Sequence, residues 1–231
     1  MATRLMILSV SVVLFSVLAG CASTSTEEEL LEVEVSENNP GNRDENPSEM
    51  KDYSHLTTAN TVSDVVNHPA FQGFGRYILP LEWRYDPDMK LGNIPSLLPY
   101  HNYVDAGRAV GYINEMIYMV GNGKQLYYDL GRKDAGLFFF PGNPGAPFAV
   151  FCPGGGFSYV GSIHEGFPLA LELSKKGYNA FVIQYSVDRG AQSAVEDLSA
   201  GIDYIFAHAS ELGVSTDDYS VWGGSAVARM A

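Results

Sequence analysis

Basic residues are scarce in this chain of 231 residues: 14 Lys and Arg stand against 27 Asp and Glu, leaving a formal charge of −13. That excludes a nucleic-acid partner, because a protein that displaces counterions from phosphates needs a basic face. Cysteine is scarcer still. Cys21 and Cys152 are the only two, too few for a disulfide-dense secreted scaffold, and no C-x-x-C pair points to zinc or thiol redox chemistry. No glycine-rich stretch ends in Gly-Lys-Ser/Thr, which removes a phosphate loop. The apolar run at 5–19 is shorter than the ~20 residues that cross a bilayer. What is present is 46% hydrophobic and 18% charged, enough to bury a core and to make one domain or at most two.

The N-terminus indicates a compartment. Arg4 precedes the uncharged run 5–19, which closes on Leu18-Ala19-Gly20-Cys21. This is the charged, apolar and small-residue order of a secretory signal, so residues 1–20 are expected to be removed. The same four residues resemble the lipobox of bacterial lipoproteins. That resemblance implies lipidation of Cys21, which becomes the first residue of the mature chain. Acyl chains contribute ~0.8 kcal/mol per buried CH₂, so the implied location is the bacterial cell envelope, membrane-anchored and facing outside the cytoplasm. An ordinary signal peptide with a coincidental cysteine is the alternative.

Residues 21–55 form the next segment. Between 22 and 52 lie ten acidic residues against Arg43 and Lys51, interspersed with Ser, Thr, Asn and Pro. Such a stretch lacks the apolar content to fold and repels itself into an extended spacer. An acidic interaction tail is the other reading, although the carboxylates lack calcium-loop spacing. Residues 56–123 are an N-terminal extension of uncertain structure, with aromatic and proline clusters such as Phe71-Gln72-Gly73-Phe74 and Leu79-Pro80-Leu81-Glu82-Trp83. One helix is predicted there, over 105–120, with Asp105 as N-cap and Gly121 as stop.

From 124 to 231 strand and helix alternate. Short strands are predicted at 124–130 and 136–140 around a turn. A strand buried on both faces is predicted at 148–152, a helix at 165–176 ending at Gly177, and strands at 179–185 and 219–222. Between the last two strands, Val195, Leu198, Ile202, Ile205, Phe206 and Ala209 recur at helical spacing and define one apolar face of a helix over 191–212. This alternation calls for an α/β domain, a mostly parallel sheet flanked by helices.

Two motifs follow strands of that domain. Pro153-Gly154-Gly155-Gly156-Phe157 lets the backbone turn with its N–H groups outward, as an oxyanion loop requires; a glycine turn with no ligand fits equally well. Gly223-Gly224-Ser225-Ala226-Val227 places a serine at a strand-to-helix junction, as in the G-x-S-x-G nucleophile elbow. A following helix would direct its dipole toward developing negative charge. Val227 stands where that signature has glycine, and a β-branched side chain there is expected to crowd the elbow.

Taken together over 148–231, with His164-Glu165-Gly166 and Gly177-Tyr178-Asn179-Ala180-Phe181-Val182 between them, these residues resemble the serine-esterase branch of the α/β-hydrolase superfamily, close to acetyl-xylan-esterase-like and lipase/esterase proteins. Many members carry His-Gly-Gly-Gly where this chain has Pro153 before the glycines. The resemblance implies a partial α/β-hydrolase fold and a carboxylic-ester hydrolase with Ser225 as nucleophile. The oxyanion would be held by the N–H groups of Ala226, Gly155 and Gly156. Neither metal nor other cofactor is required, and the implied substrate is a small-molecule or carbohydrate ester.

In the family the triad acid and histidine follow the serine. Here His55, His68, His101, His164 and His208 all precede Ser225; His164 is the one expected near the site, in a hydrogen-bonding role, and His208 is expected on the surface. Two expectations follow. Either the sequence is the N-terminal portion of a longer esterase, cut after the elbow and inactive as written, or it is a degenerate hydrolase serving as a surface-anchored binding module.

Overall fold

The computed structural model describes residues 51–80, 86–97, 104–187 and 189–231, which belong to one compact unit, Asn46–Ala231. The signal segment, Cys21, most of the acidic stretch, His101 and the Leu81–Trp83 part of the aromatic cluster lie outside the described residues.

Among the described residues six α-helices and five strands follow in chain order: α1 (Val62–Val66), α2 (Ile94–Leu97), α3 (Ala106–Gly121), β1 (Tyr127–Arg132), β2 (Ala135–Phe140), β3 (Ala146–Cys152), α4 (Phe167–Lys175), β4 (Asn179–Gln184), α5 (Gly190–Ala207), α6 (Ala209–Leu212) and β5 (Val214–Gly223). The strands make one sheet in the order β1-β2-β4-β3-β5. β2 is antiparallel to β1 and β4, and β3 is parallel to β4 and β5. Four strands therefore share a direction and β2 opposes them, as a tight hairpin from β1 requires. The mostly parallel α/β sheet expected from the sequence is present.

Continuous apolar runs arise because both faces are covered. Phe138, Phe140, Phe151 and Val182 enter one cluster with α3, α4 and the N-terminal segment, while Leu137, Phe139, Val150 and Ile183 enter a second cluster with α5. Alternate side chains of each strand thus divide between two cores, each fully buried Phe or Ile contributing roughly 1.5–3 kcal/mol.

The extension over 56–123 packs on the sheet through α1, α2, α3 and short 3₁₀ turns. α1 opens on a capping box in which Thr61 N–H donates to Asp64 Oδ2 (2.8 Å) and Asp64 N–H to Thr61 Oγ1 (3.2 Å). Asp105 caps α3 by accepting the Arg108 N–H at 2.7 Å, as expected, and Ala109, Val110, Ile113, Met116 and Ile117 make its buried stripe. Lys51–Ser54, which composition places in the spacer, lie against this layer: Lys51 N–H donates to the Gly121 carbonyl at 3.2 Å, and His68 Nε2 lies 3.0 Å from the Ser54 carbonyl oxygen.

The helix predicted over 165–176 is present as α4, Phe167–Lys175, entered through a five-residue π-type turn, Ser162–Gly166. Two local expectations need correction. The helix over 191–212 breaks at His208 into α5 and α6. Its inward face is also rotated: Ala194, Asp197, Leu198, Gly201 and Ile205 are buried, while Val195 and Phe206 are exposed. The cause is close approach, since a Cβ on Gly201 would stand 3.1 Å from Ile183 Cδ1 and 3.2 Å from Leu137 Cδ2. Asp197 sits in this interface because its oxygens accept Arg132 Nε (2.5 Å) and the Ser186 N–H (2.8 Å).

Candidate functional site

The pairing of β3 with β5 brings the two motifs together. Their register opposes Cys152 to Gly223, and the Gly224 N–H donates to the Cys152 carbonyl at 3.3 Å. The glycine loop and the serine turn therefore leave the carboxyl ends of adjacent parallel strands. β3 has β4 on one side and β5 on the other, the switch in connection where open α/β sheets hold ligands.

Ser225 has φ +54°. For a residue with a Cβ, this left-handed conformation costs about 1–2 kcal/mol. Gly224 ahead of it is extended, and a 3₁₀ turn, Ser225–Arg229, follows. The expected helix is thus replaced by a five-residue turn, which removes the dipole argument. Val227 does not crowd the elbow: it is fully buried in the core on the α5 side. The close approach falls at Gly223 instead, where a Cβ would lie 2.8 Å from both Ala228 Cα and the Val227 carbonyl oxygen.

The glycine loop is held from behind. Tyr185 Oη donates to the Pro153 carbonyl at 2.8 Å. The Gly154 carbonyl accepts the Gly161 N–H at 2.8 Å, and the Gly155 carbonyl accepts those of Ser158 (3.0 Å) and Tyr159 (3.3 Å). In a trans peptide the N–H points opposite to the carbonyl it is joined to. Fixing the carbonyls of Gly154 and Gly155 therefore turns the N–H groups of Gly155 and Gly156 the other way. Gly155 cannot be replaced without rearrangement, since at φ +148° a Cβ would meet the Tyr159 carbonyl oxygen at 1.9 Å. The loop passes beside the serine: a Cβ on Gly154 would lie 2.9 Å from Ser225 Cβ.

A cavity of about 390 Å³ opens at this point, lined by Cys152, His164, Glu165, Trp222, Gly224 and Ser225 among others. Ser225 thus lies at the cavity with Ala226 next in the turn. Gly154, Gly155, Gly156 and Ala226 are not among the residues that line it. Burial alone pushes the Cys152 thiol up to about 12, so it is neutral at physiological pH. His164 is buried, as expected near the site, with Nε2 3.6 Å from Glu165 Oε1. His208 caps α5 at the surface, stacked on Tyr204 and with Nδ1 3.1 Å from Glu211 Oε2. Among the described residues no group of three or more His, Cys, Asp or Glu is placed to hold a metal ion, and no helix is long and apolar enough to cross a membrane.

Glu165 is the site residue whose role the sequence did not reveal. Its Oε2 accepts the Gly154 N–H at 2.6 Å. Its sequence signal is an acidic side chain between the buried Ile163 and Phe167, where periodicity calls for nothing charged.

No family model matches the chain. The chain is similar to an acetylxylan esterase of Xylanibacter ruminicola, 32% identical over 89 residues, which cover 38% of this chain and 18% of that relative. The chain thus spans under a fifth of the relative's length. Among solved structures it is similar to an alpha/beta hydrolase enzyme from a Medee basin deep-sea metagenome library, at 25% identity over 41% of this chain and 43% of the other, with a TM-score of 0.39. An acetyl ester-xyloside bifunctional hydrolase from Caldicellulosiruptor lactoaceticus shows 24% identity over 45% and 39%, with a TM-score of 0.40. The C-terminal half of the chain thus combines a glycine loop and a left-handed serine at the ends of adjacent parallel strands with sequence similarity to a stretch of an acetylxylan esterase.

Proposed function

We propose that the cavity at the carboxyl ends of β3 and β5 is the acyl-transfer part of a serine carboxylic-ester hydrolase. The observation that carries this reading is the positive φ of Ser225 at a strand end beside the glycine loop, a strained conformation that lifts the hydroxyl out of the sheet. In the proposed reaction Ser225 Oγ attacks the ester carbonyl carbon and its proton passes to solvent water. The N–H groups of Ala226, Gly155 and Gly156 take the charge that develops on the carbonyl oxygen. Collapse expels the alcohol, and water then releases the acid. Small esters and acetylated carbohydrates are the proposed substrates, the latter supported by the similarity to an acetylxylan esterase.

The 231-residue chain is proposed to be a poor catalyst by itself. Of the ionisable side chains lining the cavity, Cys152 is neutral and Glu165 is engaged with the Gly154 N–H. His164 is buried beside Glu165, and a serine hydroxyl without a base is a weak nucleophile. The test uses two probes. An alkyl fluorophosphonate should phosphonylate Ser225 slowly, with loss of fluoride, as mapped by peptide mass; Ser225→Ala and urea-unfolded protein should not be labelled at that peptide. Absence of the label on native protein refutes the acyl-transfer reading. p-Nitrophenyl acetate should turn over no faster with the chain than with Ser225→Ala, and Ser225-dependent turnover would overturn the poor-catalyst part alone. The proposed envelope location rests on Leu18-Ala19-Gly20-Cys21 and predicts that Cys21→Ala releases the protein from bacterial membranes.

A further inference from the structure

We propose that Glu165 is a positioning residue that sets the glycine loop against the nucleophile turn, an inference that rests on the acyl-transfer reading of the site. One carboxylate oxygen lies between the two motifs. Glu165 Oε2 accepts the Gly154 N–H at 2.6 Å. A Cβ on Gly154 would meet that oxygen at 2.5 Å, and a Cβ on Gly224, directly before Ser225, would meet it at 3.1 Å. Both glycines are thus kept bare where the carboxylate fills the space.

The same turn holds the other end of the Gly154 residue. The Gly161 N–H donates to the Gly154 carbonyl at 2.8 Å, and the Gly161 carbonyl accepts the Glu165 N–H at 2.9 Å. Residues 161–165 therefore grip Gly154 at both its N–H and its carbonyl, which orients the next peptide and its Gly155 N–H. The turn cannot recede. It is the π-type turn, a form that recurs at functional sites, and a Cβ on Gly166 would stand 2.6 Å from Val182 Cγ1 and 3.0 Å from Pro153 Cγ. Charge is not what the position calls for, since a carboxylate near a developing oxyanion repels it. What it needs is an acceptor of fixed reach, which a glutamine supplies.

The experiment follows fluorophosphonate labelling of Ser225 at several probe concentrations in the full chain and in its Glu165→Ala and Glu165→Gln variants. Hydrogen exchange of the peptide spanning 153–160 is measured in parallel. Glu165→Ala should lower the maximal labelling rate roughly 10- to 100-fold with half-saturation unchanged, and should speed exchange in 153–160. Glu165→Gln should restore labelling to within about fivefold of wild type and leave exchange near normal. Wild-type-like labelling in Glu165→Ala overturns this proposal alone. So does an equal fall in both variants that tracks their urea midpoints, because that is what lost folding would give. A wild-type chain that is never labelled overturns the acyl-transfer reading and this proposal with it.

Discussion

The three glycines of the loop face three different surroundings, and alanine substitutions should separate them by size and by kind. At Gly156 a Cβ meets nothing within 4 Å, and φ is +62°. The cost is the left-handed backbone, about 1–2 kcal/mol, offset by ~0.4–1 kcal/mol from a stiffer unfolded chain, so Gly156→Ala should destabilise by about 0.5–1 kcal/mol. At Gly155 φ is +148° and the added atom stands 1.9 Å from a backbone oxygen, that of Tyr159. Backbone cannot rotate away as a side chain does. The conformational cost of about 1–3 kcal/mol therefore adds to overpacking of about 1–3 kcal/mol, and Gly155→Ala should lose about 3–5 kcal/mol. Gly154 has no positive φ, and its neighbours are the Glu165 carboxylate at 2.5 Å and Ser225 Cβ at 2.9 Å. Glu165 is able to swing aside, so Gly154→Ala should destabilise by only about 1–2 kcal/mol while severely slowing fluorophosphonate labelling of Ser225. Urea unfolding followed by far-ultraviolet circular dichroism gives the stabilities, and peptide mass gives the labelling. The reasoning fails if Gly155→Ala is no more costly than Gly156→Ala, or if Gly154→Ala labels like wild type.

Other expectations concern groups away from the loop. Asp197→Ala should lower stability by about 3 kcal/mol, because it strands the buried Ser186 N–H and removes the Arg132 contact. Asp197→Asn should lose less, and a change under about 0.5 kcal/mol for the alanine would refute the assignment. Cys152 should resist an aromatic disulfide reagent in native Cys21→Ala protein and react fully in urea, since burial pushes its thiol up to about 12. Rapid native reaction would contradict that burial. Asp64 is held below the ordinary carboxylate value of 3.8, first by the Thr61 N–H and then by Asn60. A lowered carboxylate stabilises above its unfolded value and loses that contribution as pH falls through the folded one. The stability advantage of wild type over Asp64→Asn should therefore shrink below about pH 4, and an advantage that grows on acidification would reverse the sign.

The parts of the fold legible in the sequence are those governed by local chemistry. Asp105 announces α3 because its side chain accepts an N–H of the first turn, and the apolar runs of β3 and β4 announce strands because both faces are buried. Ser225 and the glycines were legible because strained turns and close backbone approach admit few residue types. The inward face of α5 was not, since it is marked by Ala194, Gly201 and a paired Asp197 rather than by large apolar side chains. Hydrophobic periodicity is blind to a helix that lies close on a sheet. The 3₁₀ turns of the extension were illegible for a related reason: Phe71, Ile78 and Leu91 are buried in a core cluster assembled from distant parts of the chain, which leaves no periodic pattern. Glu165 escaped notice because its partner is a backbone N–H eleven residues away, a contact that leaves no periodic trace.

The chemistry of this site depends on strand register more than on any one side chain. Gly154 and Ser225 are far apart in sequence and become neighbours only because β3 and β5 pair with Cys152 opposite Gly223. A slip of one residue would carry Ser225 about 3.3 Å along the strand and reverse every facing side chain, taking the hydroxyl out of reach of the loop. Two aromatic contacts oppose that slip, Phe148 stacked on Tyr219 at 5.2 Å and Phe151 near Trp222 at 6.1 Å, one on each face. Among the described residues β5 pairs with β3 alone, so this ladder and the Gly224–Cys152 hydrogen bond carry the alignment. Farther back, the β3–β5 register shifts between Ala146 and Phe148, whereas from Phe148 to Cys152 it runs without interruption. Regular pairing is therefore concentrated next to the loops, where an error of one residue would separate Ser225 from the glycine loop.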